Sequence, residues 1–133
     1  MGIQNKCILQ ARLSEGTAGT AEDHYLAMPH AGEWKLKAAY FTPNAAVSVS
    51  GNTNQVTLQA KQGATAVITS QSVQASGTGS LVAGTKIEFA IPASAGASLE
   101  FGQGDVLHID IDKVSSGYAV TGDWTFSFDQ IVS

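Results

Sequence analysis

The sequence predicts an all-β chain folded as an antiparallel two-sheet β-sandwich of jelly-roll type. Three observations carry the prediction. Apolar and polar residues alternate in Trp34 to Tyr40, Val56 to Ala60, Ile87 to Ile91, Val106 to Asp112 and Trp124 to Phe128, the period of half-buried strands. Clusters of Gly, Asn, Ser and Thr separate these pieces, as turns require. Strand and turn signals recur about every 8 to 12 residues, the spacing of a sandwich or jelly roll.

The first 32 residues differ in texture from the rest. Residues 6–13 suit one strand, and Ser14-Glu-Gly-Thr-Ala-Gly-Thr-Ala-Glu-Asp23 is a small, polar connection. His24 to Met28 reads as a second short strand halted by Pro29. A short helix is the alternative, because Thr20 is a capping residue followed by Glu22 and Asp23. The expected division is therefore 1–32 as an N-terminal arm or short strands and 33–133 as the sandwich domain.

From Glu33 the pattern is regular. Trp34, Leu36, Ala38 and Tyr40 are expected on one strand face and Lys35 and Lys37 on the other, with Pro43-Asn44 ending the strand. Ala46 to Ser50 reads as a short strand, and Gly51-Asn-Thr-Asn54 as a turn. Gln55 to Ala60 then points Val56, Leu58 and Ala60 inward and forms a hairpin with Ala64 to Ser70. After a loose segment through Gly84, Ile87, Phe89 and Ile91 face the core. Pro92 to Ser98 is a small-residue loop, Leu99-Glu-Phe101 a short segment, and Gly102-Gln-Gly-Asp105 a turn. Leu107, Ile109 and Ile111 share one face of the next strand, Gly117 and Gly122 bracket a bend, and Trp124, Phe126 and Phe128 share a face of the last strand.

A chain of 133 residues is the size of one domain with a core of its own. Charged residues make up 14% of it, against about 25% in an average soluble domain. Ser, Thr, Gly, Ala, Asn and Gln take their place, a surface suited to neutral contacts in an assembly. The net charge is −4 and the seven basic residues are scattered, so no stripe exists to neutralise phosphates, which argues against nucleic-acid binding. No apolar run is long enough for a membrane helix, and the N-terminus lacks the layout of a signal peptide. The expectation is a soluble protein that is not exported by itself and has no membrane partner. The single Cys7 excludes an intrachain disulfide and reads as a small core hydrophobe.

His108, Asp110 and Asp112 alternate and so point the same way. Three donors on one face suit a divalent ion, but strand residues two apart stand roughly 7 Å apart, wide for closing on one ion without loop ligands. They are read as a solvated polar row, and no metal or other cofactor is expected. The chain has no Gly-x-Ser-x-Gly elbow, phosphate-cradling loop or His-Glu-x2-His motif. Gly102-Gln-Gly104 precedes a strand where a dinucleotide fingerprint needs a helix. No catalytic residues are assigned, and the chain is not expected to be an enzyme. Trp34, Tyr40, Trp124, Phe126 and Phe128 suit either a sandwich core or an aromatic platform for sugar rings. An exposed aromatic pair on one sheet face would mark the latter, a carbohydrate-binding module.

The order of Ala39-Tyr-Phe-Thr-Pro43, Gln55-Val-Thr-Leu-Gln-Ala-Lys61, Val82-Ala-Gly84 before an apolar strand, and Gly104-Asp-Val-Leu-His-Ile-Asp110 resembles a β-sandwich of tailed-phage structural proteins. The resemblance covers roughly the C-terminal three quarters of the chain and rests on short motifs. It implies a virion component without catalytic residues: a capsid decoration or cement protein on the outer capsid surface, or a tail- or fibre-associated module. The implied partners are the major capsid protein and further copies of the chain, as a homotrimer or alternatively a dimer.

Overall fold

The computed structural model describes residues 5–13, 21–115 and 117–131. Among these residues ten strands run in the order β1 (Lys6–Leu13), β2 (Glu22–Ala27), β3 (Glu33–Pro43), β4 (Gln55–Gln62), β5 (Thr65–Ala66), β6 (Gln71–Val73), β7 (Ile87–Phe89), β8 (Glu100–Gly102), β9 (Val106–Val114) and β10 (Gly122–Gln130). One sheet has the order β1-β10-β3, with β7 and β8 side by side along β3; the other has the order β2-β9-β4, with β5 and β6 along β4. Every pairing is antiparallel. With β5/β6 and β7/β8 each counted as one broken strand, the chain changes sheets at nearly every step. That is the double Greek-key layout of a jelly roll, so the expected fold class stands.

The core lies between the sheets because each strand presents its apolar alternate to the other sheet. Val56, Leu58 and Ala60 of β4, Leu107, Ile109 and Ile111 of β9, and Trp124, Phe126 and Phe128 of β10 are all fully buried. Trp124 is stacked on Phe126 and Phe89, with ring centroids 5.5 Å and 5.1 Å away. Cys7 is buried as expected, where burial raises the pKa of its thiol.

The first 32 residues include two strands of the sandwich. β1 pairs with β10 over its whole length and sends Cys7 and Leu13 into the core, while β2 pairs with β9. Residue 33 is therefore not where the folded unit begins, and 22–27 is strand rather than helix. Short polar stretches hid this because both are edge strands, whose outward residues (Lys6, Gln10, Arg12, Asp23) dilute the apolar signal. Most of the connection expected over 14–23 lies outside the described residues.

Strand β3 corrects a second expectation. Ala38 pairs with Ser127 and Leu36 with Phe128, so Lys37 is an extra residue, a β-bulge. Trp34 and Leu36 face inward before it, and Ala39, Phe41 and Pro43 after it. Ala38 and Tyr40 thus face outward, and the Lys86 ammonium sits 4.6 Å from the Tyr40 ring centroid, a cation–π contact.

Other elements are shorter than expected. Ala46 to Ser50 contributes one bridge, Val47 to Leu81. The partner of β4 is split into Thr65–Ala66 and Gln71–Val73, with Val67 and Ile68 buried between them. Ala93–Leu99 is a kinked 3-10 helix rather than a loop. Geometry requires glycine at Gly104 and at Gly122, among other positions. Gly104 adopts φ +90° in the β8–β9 turn, where Asp105 Oδ2 accepts from the Gly102 amide at 2.8 Å. Gly122 lies between Leu13 and Pro43 on neighbouring strands, and a side chain there would collide with the Thr42 carbonyl oxygen.

Candidate functional site

The polar chemistry of the chain gathers on the outer face of the β2-β9-β4 sheet. Because Leu107, Ile109 and Ile111 point inward, His108, Asp110 and Asp112 point outward, as the alternation predicts. The register adds partners that one strand cannot reveal. Tyr25 lies opposite His108 and Asp23 opposite Asp110 on β2, while Lys61 lies opposite His108 on β4.

These side chains form a cross-strand ladder. His108 Nε2 and Asp23 Oδ1 are 2.7 Å apart, and an ionised carboxylate only accepts, so the ring nitrogen donates. The Tyr25 ring stacks on His108 at 4.5 Å and 13°. The Lys61 ammonium lies 2.9 Å from Asp110 Oδ2. That hydrogen bond, reinforced by the Asp110 charge, raises the pKa of Lys61. Asp112 has its own pKa raised, first by burial and then by the neighbouring Asp110 carboxylate.

The ladder changes the geometry of the metal question. Asp23, His108 and Asp110 each offer a ligand atom, all within 4.8 Å of one another. The cross-strand Asp23 closes the gap that spacing along β9 leaves open, so Asp23, rather than Asp112, completes the set. Each of these groups already has a partner: Asp23 holds His108, and Lys61 holds Asp110. A cation entering here would have to replace both bonds and the Lys61 charge.

A second polar group points the other way. Glu22 and His24 lie opposite Ile111 and Ile109, so they face inward at the start of β2. Glu22 Oε1 is 3.5 Å from the fully buried Lys113 ammonium, and Glu22 Oε2 is 3.5 Å from His24 Nε2. Both distances exceed a good hydrogen bond, and among the described residues Glu22 Oε1 and His24 Nε2 have no hydrogen-bond partner. The Glu22 carboxylate offsets the Lys113 charge at the rim of the core.

The aromatic residues separate cleanly. Trp34, Trp124, Phe126 and Phe128 are buried, whereas Tyr40 and Tyr25 lie outward on different sheets. Tyr25 is 64% exposed, but its stacking partner is His108. Among the described residues no sheet face carries the exposed aromatic pair that a sugar platform would show. On the other outer face Lys6 and Arg12 pair with Asp129 and Asp123 at 2.7 Å and 3.0 Å.

These features define a jelly-roll β-sandwich whose polar groups lie in surface ladders and in one inward group of Glu22, His24 and Lys113. No protein-family model matches the chain, and no curated protein matches it. Among solved structures, a chain from the disulfide-linked pili of Bacillus endospore appendages is similar, with a TM-score of 0.39 and 16% identity over 98% of this chain and 88% of that one.

Proposed function

We propose that this chain is a viral structural protein, a capsid decoration or cement protein that stabilises a tailed-phage head by bridging capsomers from its outer surface. The partners in this reading are the major capsid protein and further copies of the chain in a homo-oligomer. The observation that carries it is the placement of polar side chains. Among the described residues they are tied to one another across strands on the outer faces, in a chain with 14% charged residues. Such faces suit neutral, hydrogen-bonded contact with a neighbouring protein surface better than chemistry on a small substrate. The motif order that resembles tailed-phage sandwiches supports the virion context.

Electron microscopy of the parent particle with and without this protein tests the reading. Density over the shell that disappears with the protein is the expected result, together with a lower rupture temperature of the depleted shells, since a ligand of the assembled state stabilises it by mass action. Density confined to the tail would replace the head assignment with a tail- or fibre-associated module.

A further inference from the structure

The four sheet edges of the sandwich are unequal. Two are broken into short pieces, β7 with β8 and β5 with β6, none longer than three residues. Broken edges resist pairing with other chains. The other two are continuous: β1 with eight residues and β2 with six. Among the described residues neither has a second strand neighbour. Both lie on one side of the sandwich, because Cys7 Sγ near the start of β1 touches Met28 Sδ just past the end of β2, at 4.0 Å. The two strands therefore run in opposite directions, with the Cys7 and Met28 side chains meeting.

We propose that a second copy of this chain docks on the β1/β2 side, so that β1 of each copy adds antiparallel to β2 of the other. A two-fold axis parallel to the strands keeps every residue at its own height. With Cys7 and Met28 taken at one height, the proposed register puts Ile8 beside Ala27 of the second copy, Gln10 beside Tyr25, and Arg12 beside Asp23. All six residues point outward in the single chain, so like faces meet and each sheet continues into the opposite sheet of the second copy.

The side chains match this register. Ile8, 51% exposed, meets alanine, and the Arg12 cation, already bound to Asp123 through Nε, meets the Asp23 carboxylate, already bound to His108 through Oδ1. A depression of about 300 Å3 lined by Gln10, Ala11, Arg12 and Asp123 lies where the exposed Tyr25 ring of the second copy arrives. The proposal deepens the homo-oligomer part of the function read above by making the unit a dimer with a named seam. Its test needs no phage shell, so its failure and the failure of the capsid assignment are separate results.

Ile8→Cys and Ala27→Cys are introduced together in the full chain, where the native Cys7 stays buried. Within one chain these two positions lie on opposite outer faces, so only a second copy can join them. Mild oxidation of the folded protein should yield a covalent dimer on a non-reducing gel. The off-register combination of Ile8→Cys with Asp23→Cys should yield several-fold less. Independently, the unmodified protein should show a dimer mass by light scattering, and its β1 and β2 amides should exchange more slowly as concentration rises. A monomer or trimer mass would overturn the proposal, as would equal cross-linking by both cysteine pairs or amide exchange that does not change with concentration.

Discussion

Asp23 and His108 join the edge strand β2 to β9 through a 2.7 Å contact, while the Tyr25 ring packs flat against the same imidazole. Three side chains thus hold a six-residue edge strand whose inward neighbours, Glu22 and His24, contribute little apolar burial. His108→Ala removes both contacts. The expected cost is about 0.5 to 1.5 kcal/mol, the scale of an exposed polar pair plus one stacking contact. Hydrogen exchange should quicken in β2 before it does in β4. Uniform quickening across the whole sheet would show that the ladder is not a local clamp.

Trp124 is the centre of the aromatic core, in contact with Phe41, Phe89 and Phe126. Trp124→Ala should destabilise by about 3 to 5 kcal/mol through lost transfer energy and the cavity left behind. The melting temperature should fall by roughly 10 °C or more. Calorimetry checks this, and a fall of only a degree or two would mean that the neighbours collapse into the space.

Asp112 provides a test of pH dependence. Partial desolvation of this exposed residue and the Asp110 charge raise its pKa above the ordinary aspartate value, so the folded state binds this proton more tightly than the unfolded one. Its stabilising contribution is full below the ordinary aspartate pKa and is lost as pH rises through the higher folded value. Asp112→Asn should therefore melt higher than the unmodified protein at neutral pH, with the advantage vanishing below about pH 4. A melting difference independent of pH would contradict the assignment.

The bulge at Lys37 predicts an asymmetry between deletions. Removing Lys37 leaves Trp34, Leu36, Ala39 and Phe41 on one face in unbroken alternation, so the fold should survive with little loss of stability. Removing Thr125 from the regular strand β10 places Trp124 and Phe126 on opposite faces and should abolish folding. Circular dichroism and thermal melts of the two deletions decide between them, and equal damage would argue against the bulge.

No metal should be needed for the fold, because His108 and Asp110 are already held by Asp23 and Lys61. Treatment with a chelator should leave the thermal midpoint unchanged. A drop that a divalent ion restores would mark Asp23, His108 and Asp110 as ligands.

The sequence by itself determined the strands that are buried on one face and wet on the other. Val56 to Ala60, Leu107 to Ile111 and Trp124 to Phe128 each carry the period of two without ambiguity, and burial follows it residue by residue. Where the pattern was degenerate, tertiary contacts decided. The pair Ala38-Ala39 suits either face because alanine is small and apolar, so only pairing with β10 selected Ala39 and Phe41 over Ala38 and Tyr40. Edge strands β1 and β2 were faint for a related reason: half their residues face water, and an edge has a neighbour on one side only. The candidate site was half legible. Alternation placed His108, Asp110 and Asp112 on one outer face, but Asp23, Tyr25 and Lys61 lie 47 or more positions from them in sequence. Cross-strand neighbours are set by register, which depends on how whole strands pair and on no local pattern.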